Sequence, residues 1–289
     1  EVDFILRDCQ PHVIVTSNRN KEIIDALLPE LPYKPRVINV DEVGAYRRDH
    51  DVEEYMFEKD DIALLLYTSG TTGTSKGVML SYWNVMVNVR WNNDSGRINI
   101  NDVLLAVLPT HHSWPLMATV LCPLDCGATI VQMQKLTGDE ITRLMKENKV
   151  TMLTAVPRLF EMIHKSIRAK INASLIARAL LAVTKALDIM PLSKTIFGKV
   201  HREFGGNIKT FISGGAALDP SIIKDYRGMG ILMLEGYGLT ETAPIVTLNH
   251  PFSTRKGSVG KPIHGVDVRI ADDGEILVRG DNVTRGYFG

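Results

Sequence analysis

The segment LLLYTSGTTGTSKG, at residues 64–77, joins an apolar run of strand type to a loop rich in glycine and hydroxyl residues. Its glycines let the backbone turn tightly and approach a ligand, while its hydroxyl groups and Lys76 are donors for anionic oxygens. A Walker A loop requires a glycine immediately before the lysine, whereas Ser75 stands there. The segment therefore predicts a polyphosphate-binding loop that follows a buried strand, and it argues against a P-loop kinase or GTPase.

Outward from this loop, short apolar runs alternate with stretches of helical period, which predicts an α/β fold with largely parallel sheets. The predicted strands are residues 12–16, 36–40, 63–67, 103–108, 129–132, 151–155, 210–212 and 231–235, and the clearest amphipathic helices are residues 139–149 and 158–170. After about residue 247 short strands with tight turns follow, including a hairpin over residues 266–278.

We therefore expect two packed, mostly parallel sheet lobes with flanking helices, followed by the start of a smaller antiparallel β-barrel-like subdomain. The predicted boundaries are 1–100 for the lobe with the phosphate loop, 101–248 for a second lobe, and 249–289 for the β subdomain.

Composition excludes several classes of protein. Thirty-three basic side chains balance thirty-three acidic ones, so there is no excess positive charge to collect nucleic acid or an anionic membrane non-specifically. The three cysteines form neither an even set nor a CxxC pair, which favours a reducing, cytoplasmic setting over a disulfide framework or a zinc site. No apolar run approaches the roughly 20 residues of a membrane-spanning helix, and the sequence carries no signal for an oligomeric state.

A second glycine-rich segment, EGYGLTET at residues 235–242, follows the apolar run 231–234. Its glycines let an aromatic ring lie flat against a base, Thr240 can donate to a phosphate, and the carboxylate of Glu241 suits a Mg²⁺ ion. This segment predicts a nucleotide site completed by a metal.

The two segments, in this order, resemble the signature motifs of the adenylate-forming superfamily, which includes acyl-CoA synthetases, luciferases and the adenylation domains of peptide synthetases. The resemblance implies that Tyr237 stacks on adenine and that Glu241 holds Mg²⁺. It further implies that the first loop binds the β- and γ-phosphates of ATP through Thr68, Ser69, Gly70, Thr71, Thr72, Gly73 and Lys76, and that Glu235, Gly236, Gly238 and Thr240 belong to the nucleotide site.

Two further segments are similar to elements of that superfamily, and the resemblance implies that the adenine and acyl site lies in the lobe 101–248. The segment FISGGAA, at residues 211–217, implies that Gly214, Gly215 and Ala216 lie along the adenine. The segment LPTHHSW, at residues 108–114, implies that His112 lies beside the substrate carboxylate and the α-phosphate. Trp114 is open to two interpretations, a residue that lines or gates an acyl tunnel and an ordinary core residue.

The resemblance implies that a carboxylic acid reacts with ATP to give acyl-AMP, with Lys76, His112, Thr240 and Glu241 as catalytic residues, and that coenzyme A then takes the acyl group. Residues 109–115 hold no carboxylate to pair with a substrate ammonium, which favours an uncharged tail. Residues 156–160, 204–208 and 213–220 look most like the long-chain fatty acid–CoA ligases. The alternatives are an adenylation domain that loads an aryl or amino acid onto a carrier protein, and a catalytically silent nucleotide-binding module.

By the same resemblance the chain is the middle of a longer protein, without the ribose-binding aspartate, hinge and C-terminal lid that follow in the family. We therefore expect weak nucleotide binding and little turnover from the chain itself. Residues 172–192, rich in Ala and Leu with spaced cations, predict either a solvent-flanked core helix, which we favour, or a helix on a membrane surface. The second interpretation would make the protein peripheral to the inner face of a membrane.

Overall fold

The computed structural model describes residues 1–42, 56–69, 75–251, 255 and 257–289. The helices are α1 (Val2–Cys9), α2 (Lys21–Leu27), α3 (Tyr82–Asp94), α4 (Ser113–Leu116), α5 (Cys122–Cys126), α6 (Gly138–Glu147), α7 (Pro157–Asn172), α8 (Leu175–Leu187), α9 (Met190–Ile196), α10 (Gly198–Glu203) and α11 (Pro220–Gly228). The strands are β1 (Val13–Thr16), β2 (Arg36–Asn39), β3 (Ile62–Ser69), β4 (Ser75–Ser81), β5 (Val103–Ala106), β6 (Thr129–Gln132), β7 (Met152–Ala155), β8 (Thr210–Ser213), β9 (Leu232–Gly238), β10 (Ile245–Leu248), β11 (Lys261–Pro262), β12 (Val266–Ile270), β13 (Ile276–Gly280) and β14 (Tyr287–Phe288).

A seven-stranded sheet in the order β11-β10-β9-β8-β7-β5-β6 forms the centre of the molecule. Its strands β6, β5, β7, β8 and β9 are parallel, whereas β10 and β11 are antiparallel additions at one edge. Strand β7 is buried along its whole length, as expected for a central parallel strand with both faces covered. The predicted α/β class and the mostly parallel sheet are confirmed.

Aromatic packing closes one face of this sheet. The ring of Phe211 lies 5.2 Å from that of Phe160 on α7 and 5.4 Å from that of Tyr226 on α11. All three side chains are fully buried, and the Tyr226 hydroxyl donates a 2.8 Å hydrogen bond to the carbonyl of Phe160. Helices α7 and α11 are thereby fixed against β8, one of the strands that carry the site described below.

The strand before the phosphate loop differs from the expectation of a parallel lobe. Strands β1 and β2 are parallel, but β3 pairs antiparallel with β4, and β14 joins β4 in a separate three-stranded sheet. The connection from Ser69 to Ser75 is too short for a parallel crossover, which needs a dozen or more residues. Antiparallel pairing is therefore the arrangement that this chain length permits. The β12–β13 hairpin is confirmed, with Gly274 in its turn at φ +90°.

Two buried asparagines form hydrogen bonds with the chain between β9 and β10. The Asn88 side chain, on α3, accepts a 2.8 Å hydrogen bond from the Ile245 N–H. The Asn282 side chain, which is fully buried, donates to the carbonyls of Thr242 and Ile245 at 3.0 and 3.1 Å. These amides satisfy the backbone between β9 and β10, a stretch that leaves the regular sheet and contains the 3₁₀ turn Thr240–Thr242.

We predict that Asn282→Ala lowers the free energy of unfolding by about 1–3 kcal/mol, because it removes a donor from the carbonyls of Thr242 and Ile245 and leaves the buried Thr242 carbonyl with only the 3.4 Å hydrogen bond from Asn88. The matched control is Asn101→Ala, since Asn101 is exposed. Denaturant unfolding measures both variants. Equal midpoints for Asn282→Ala and Asn101→Ala would show that the buried amide does not hold this turn.

Candidate active site

A cavity of about 410 Å³ opens at the carboxyl ends of four parallel strands. Residues that end or directly follow β5, β7, β8 and β9 line it, together with the start of α4. This edge of an α/β sheet is where ligands commonly bind. Seven of the predicted site residues line the cavity, namely His112, Gly214, Gly215, Gly236, Tyr237, Gly238 and Thr240.

Contacts between distant segments build the cavity walls. The hydroxyls of Ser113 and Thr240 lie 3.1 Å apart and form a hydrogen bond, which ties the segment 108–114 to the segment 235–242. Gly214 lies against the Trp114 indole, so closely that a Cβ there would stand 3.0 Å from the ring. Trp114 thus lines the cavity, packed against Gly214. Three segments that the sequence singled out separately form one site.

Gly238 allows the chain to enter the turn beneath the cavity. A Cβ at this position would stand 1.7 Å from the Pro244 carbonyl oxygen, which no rotation of a side chain could relieve. The Leu239 N–H also donates to that carbonyl at 3.0 Å. Close backbone approach therefore requires glycine here.

Ser213 supplies an unsatisfied polar group to the cavity. Its side chain is 1% exposed and lines the cavity, and its Oγ has no hydrogen-bond partner among the described residues. A buried hydroxyl without a partner costs free energy that a polar ligand atom would recover. The chemistry of this wall fits a ligand that combines a flat apolar ring with polar edges, as a nucleotide base does.

Tyr287, a residue that the sequence did not indicate, contacts both Lys76 and Glu241. The Tyr287 hydroxyl donates a 2.9 Å hydrogen bond to Glu241 Oε1, and Lys76 Nζ lies 5.3 Å from the centroid of the Tyr287 ring, within cation–π range. The Thr284 N–H also donates to the Glu241 carbonyl at 2.8 Å. No local pattern links Tyr287 to Glu241, because only the pairing of β14 with β4 brings them together.

The predicted metal residue is a single carboxylate. Among the described residues, no group of three His, Cys, Asp or Glu side chains is arranged to hold a metal ion. Mg²⁺ is commonly held by one or two carboxylates together with phosphate oxygens of the substrate and water. Glu241 therefore fits a Mg²⁺ ion that arrives with a polyphosphate, rather than an ion held by the protein alone.

The phosphate loop is the connection between β3 and β4. Thr68 stands opposite Lys76 in the hairpin, and Ser69 pairs with Ser75 at its end. Gly70, Thr71, Thr72 and Gly73, predicted to bind phosphate, lie outside the described residues. The pairing of β3, β4 and β14 puts Lys76 in the same sheet as Tyr287. The lysine therefore lies near Glu241, which Tyr287 contacts.

Two predicted nucleotide residues, Glu235 and Ala216, are not among the residues that line the cavity. The Glu235 carboxylate is buried and accepts a 3.3 Å hydrogen bond from the Leu218 N–H. Burial raises its pKa, although that hydrogen bond partly offsets the effect. Ala216 is exposed directly after Gly215, which adopts φ +80°. Glu235 thus fixes the loop that carries Gly215 and Ala216, and a direct contact of Glu235 or Ala216 with a nucleotide stays a prediction.

His112 lies at the exposed rim of the cavity, at the start of α4. Its ring centroid is 4.2 Å from that of His111. Partial desolvation, and then the neighbouring His111, lower the pKa of His112 below its usual 6.5. The lowered pKa favours the neutral imidazole of His112, in which one ring nitrogen donates and the other accepts.

The sequence model of the family described as AMP-binding enzyme matches residues 1–288. 4-Coumarate–CoA ligase 2 from Solanum tuberosum is 28% identical over 262 residues, which cover 83% of this chain and 42% of that protein. The long-chain-fatty-acid–CoA ligase FadD15 from Mycobacterium bovis is 29% identical over 250 residues, which cover 79% of this chain and 41% of that protein. The chain thus spans less than half the length of these relatives.

Among solved structures, ATP-bound MatB from Rhodopseudomonas palustris matches all of this chain with a TM-score of 0.75 and 26% sequence identity. The match covers 54% of MatB. The arrangement of strands and helices is therefore shared with a protein whose structure contains ATP.

The protonation of His112 provides a test of the site's geometry. We predict that His112 titrates below pH 6.5 and that His111→Ala raises the pKa of His112, because that substitution removes the neighbouring imidazole that contributes to lowering it. The folded chain binds fewer protons here than the unfolded chain. The associated stability is therefore present above pH 6.5 and is lost as the pH falls towards the folded-state pKa.

Proton NMR of the histidine rings across a pH series measures this, with His112→Asn used for assignment. Either a His112 pKa at or above 6.5, or a value unchanged in His111→Ala, would contradict the arrangement at the rim.

Proposed function

The chain belongs to the AMP-binding enzyme family, and we propose that it forms the core of an enzyme that joins AMP to a carboxylic acid and then transfers the acyl group to coenzyme A. The observation that carries this proposal is the convergence of three separate segments on one cavity, marked by the hydrogen bond between Ser113 and Thr240. In a catalytically silent nucleotide-binding module, nothing would require Lys76 and Glu241 to contact the same residue, Tyr287.

In the first step, a carboxylate oxygen of the acid attacks the α-phosphorus of ATP. The bond to the β-phosphate oxygen breaks, and pyrophosphate leaves with that electron pair. Mg²⁺, when bound, would neutralise charge on the phosphates. Thr240, oriented by Ser113, stands at the cavity wall to donate a hydrogen bond to the α-phosphate. Lys76 supplies positive charge on the side of the leaving pyrophosphate.

His112 serves this step as a neutral group. Its lowered pKa leaves a donor for an oxygen of the acid or of the α-phosphate without adding a full positive charge that would pair with the carboxylate and weaken its attack. In the second step, the thiolate of coenzyme A attacks the acyl carbon, and the bond to the phosphate oxygen breaks to release AMP.

The cavity supports an acid with an uncharged tail. Its described lining contains no Asp, Glu, Lys or Arg side chain, and residues such as Ile98, Leu108, Val156 and Leu248 give it an apolar wall. An ionised amino group would be desolvated there without a partner. We favour a long-chain fatty acid, supported by the similarity to the mycobacterial fatty acid ligase. A hydroxycinnamate-type aryl acid is the second candidate, supported by the 4-coumarate–CoA ligases.

The test is calorimetric titration of the protein with Mg·ATP, then with non-hydrolysable palmitoyl- and coumaroyl-adenylate analogues. We expect both analogues to bind more tightly than ATP and the palmitoyl compound to bind tightest, because acyl and adenylate parts then occupy one cavity. Tighter binding of the coumaroyl compound would favour the aryl acid. Binding of ATP with no gain from either acyl group would contradict acid activation at this site.

The metal role of Glu241 is tested in the same titration. Glu241→Gln should weaken Mg²⁺-dependent ATP binding about tenfold or more, since an interaction with a charged group is worth about 1.5–3 kcal/mol. The matched control is Glu275→Gln, which removes an exposed carboxylate from the β12–β13 turn. Equal Mg²⁺ dependence in both variants would show that Glu241 does not bind the metal.

A further inference from the structure

A second cavity lies among helices α7, α8 and α11, and cations supply the charged part of its lining. It measures about 360 Å³, a size that suits a small ligand. We define the cationic groove as this cavity, with a lining that includes Arg168 from α7, Arg178, Ala182, Lys185 and Ala186 from α8, and Lys224 from α11. The groove shares no lining residue with the cavity of the candidate active site.

The side of α8 that lines the groove combines cations with small residues. Arg178, Ala182 and Lys185 follow one another at intervals of four and three, so they lie on one side of the helix. Ala186 continues this side one turn beyond Ala182. Because the alanine side chains end at Cβ, they leave space between the longer cationic side chains for a ligand.

Asp225, on α11, orients two cations of the groove. Its side chain is 8% exposed, its Oδ1 accepts a hydrogen bond from Lys185, and its Oδ2 lies 3.3 Å from Arg168 Nε. The same Oδ2 lies 2.9 Å from His164 Nε2, so both carboxylate oxygens are occupied. Burial alone would raise the pKa of Asp225, but its hydrogen bonds and the neighbouring cations outweigh that effect and lower the pKa to about 2.

The groove retains positive charge that Asp225 does not balance. In the described part of the chain, Arg178 and Lys224 have no ion-pair partner, and Asp225 is the carboxylate that pairs with the other two lining cations. Four cations against one carboxylate leave a net charge of +3 around the groove. Like charges gathered around one cavity repel one another, and a bound anion would relieve that repulsion.

We propose that the cationic groove binds the phosphate group of a small phosphorylated ligand. A phosphate ester carries about 1.5 to 2 negative charges at pH 7 and three acceptor oxygens, whereas a carboxylate carries one charge and two oxygens. The larger charge and the additional oxygen match cations that come from three helices. The guanidinium fork of Arg178 also fits phosphate oxygens in pairs.

The groove lies away from the candidate active site. Val156 lines the active-site cavity and precedes the first residue of α7, whereas Arg168 lines the groove. These residues are twelve positions apart, which corresponds to about 18 Å along the helix axis. A ligand in the groove would therefore occupy a second site, and the proposal is independent of the function proposed above.

The experiment is an NMR titration of the nitrogen-15-labelled protein with inorganic phosphate, and separately with acetate, at constant ionic strength and neutral pH. We expect saturable shifts of the backbone amides near Arg178, Lys185 and Lys224. Phosphate should bind at least about tenfold more tightly than acetate, because it brings more charge and more oxygens to the same cations. Absence of saturable shifts in α8 and α11, or equal affinity for acetate, would overturn the proposal.

Inorganic phosphate has a second expected site at the loop before Lys76, and two variants separate the two sites. Arg178→Gln with Lys224→Gln should weaken the phosphate affinity measured on α8 amides at least about tenfold, because it removes two charged donors. Lys76→Gln should leave that affinity unchanged. If Lys76→Gln weakened it as much as the groove pair does, the shifts on α8 would report binding at the other site, and the groove would be excluded.

The matched control for the groove pair is Lys261→Gln with Arg269→Gln, which removes the same two kinds of cation from exposed positions on β11 and β12. Arg168 and Lys185 stay unchanged in every variant because they bind Asp225. Thermal unfolding checks that each variant is folded. An equal loss of affinity in the control pair would show an effect of overall charge and would contradict a site in the groove.

The phosphate group can belong to a water-soluble ester or to a phospholipid headgroup. Within the ranges that the structure describes, no helix has both the length and the apolar character needed to cross a membrane. Titration with glycerol 3-phosphate tests the soluble ester, and co-sedimentation with phosphatidic acid vesicles, compared with phosphatidylcholine vesicles, tests the headgroup. Whichever binding the groove pair weakens identifies the source. If the groove pair weakened neither, the assignment to a phosphorylated ligand would be wrong.

Discussion

The stretch between β9 and β10 must leave the regular sheet and still satisfy its buried backbone groups, and the site depends on how it does so. Asn88 and Asn282 supply the missing hydrogen bonds from two different parts of the chain. With the backbone so fixed, Thr240 meets Ser113 and Glu241 meets Tyr287. A polar network in the core thus determines the position of the groups that would act on phosphates.

The cavity combines two environments that the proposed adenylate chemistry would need together. Its wall is apolar and includes Trp114 against Gly214, which suits the uncharged acyl tail proposed above. The cavity has few polar groups, and they hold defined positions. They include the unsatisfied Ser213 hydroxyl and the hydrogen-bonded hydroxyls of Ser113 and Thr240. Donors fixed in an apolar setting interact with developing charge more strongly than they would in water.

Helix α7 connects the cavity to the surface where α8 lies. Val156 lines the cavity and caps α7, and α8 begins three residues after α7 ends. The aromatic contacts of Phe160 with Phe211 and Tyr226 keep α7 against the sheet at its cavity end. Helix α7, sixteen residues long, therefore links the cavity wall to α8, which packs against it.

The sequence by itself determined the α/β class, most strand positions and the residues of each motif, because hydrophobic period and glycine placement are local properties. It favoured a core helix over residues 172–192, yet periodicity could not tell which apolar side chains the neighbouring helices would cover. The tertiary structure alone decided that the strand before the phosphate loop is antiparallel, that Tyr287 joins Lys76 to Glu241, and that three motifs share one cavity. These relations depend on pairing between residues far apart in the chain, and no local pattern records such pairing.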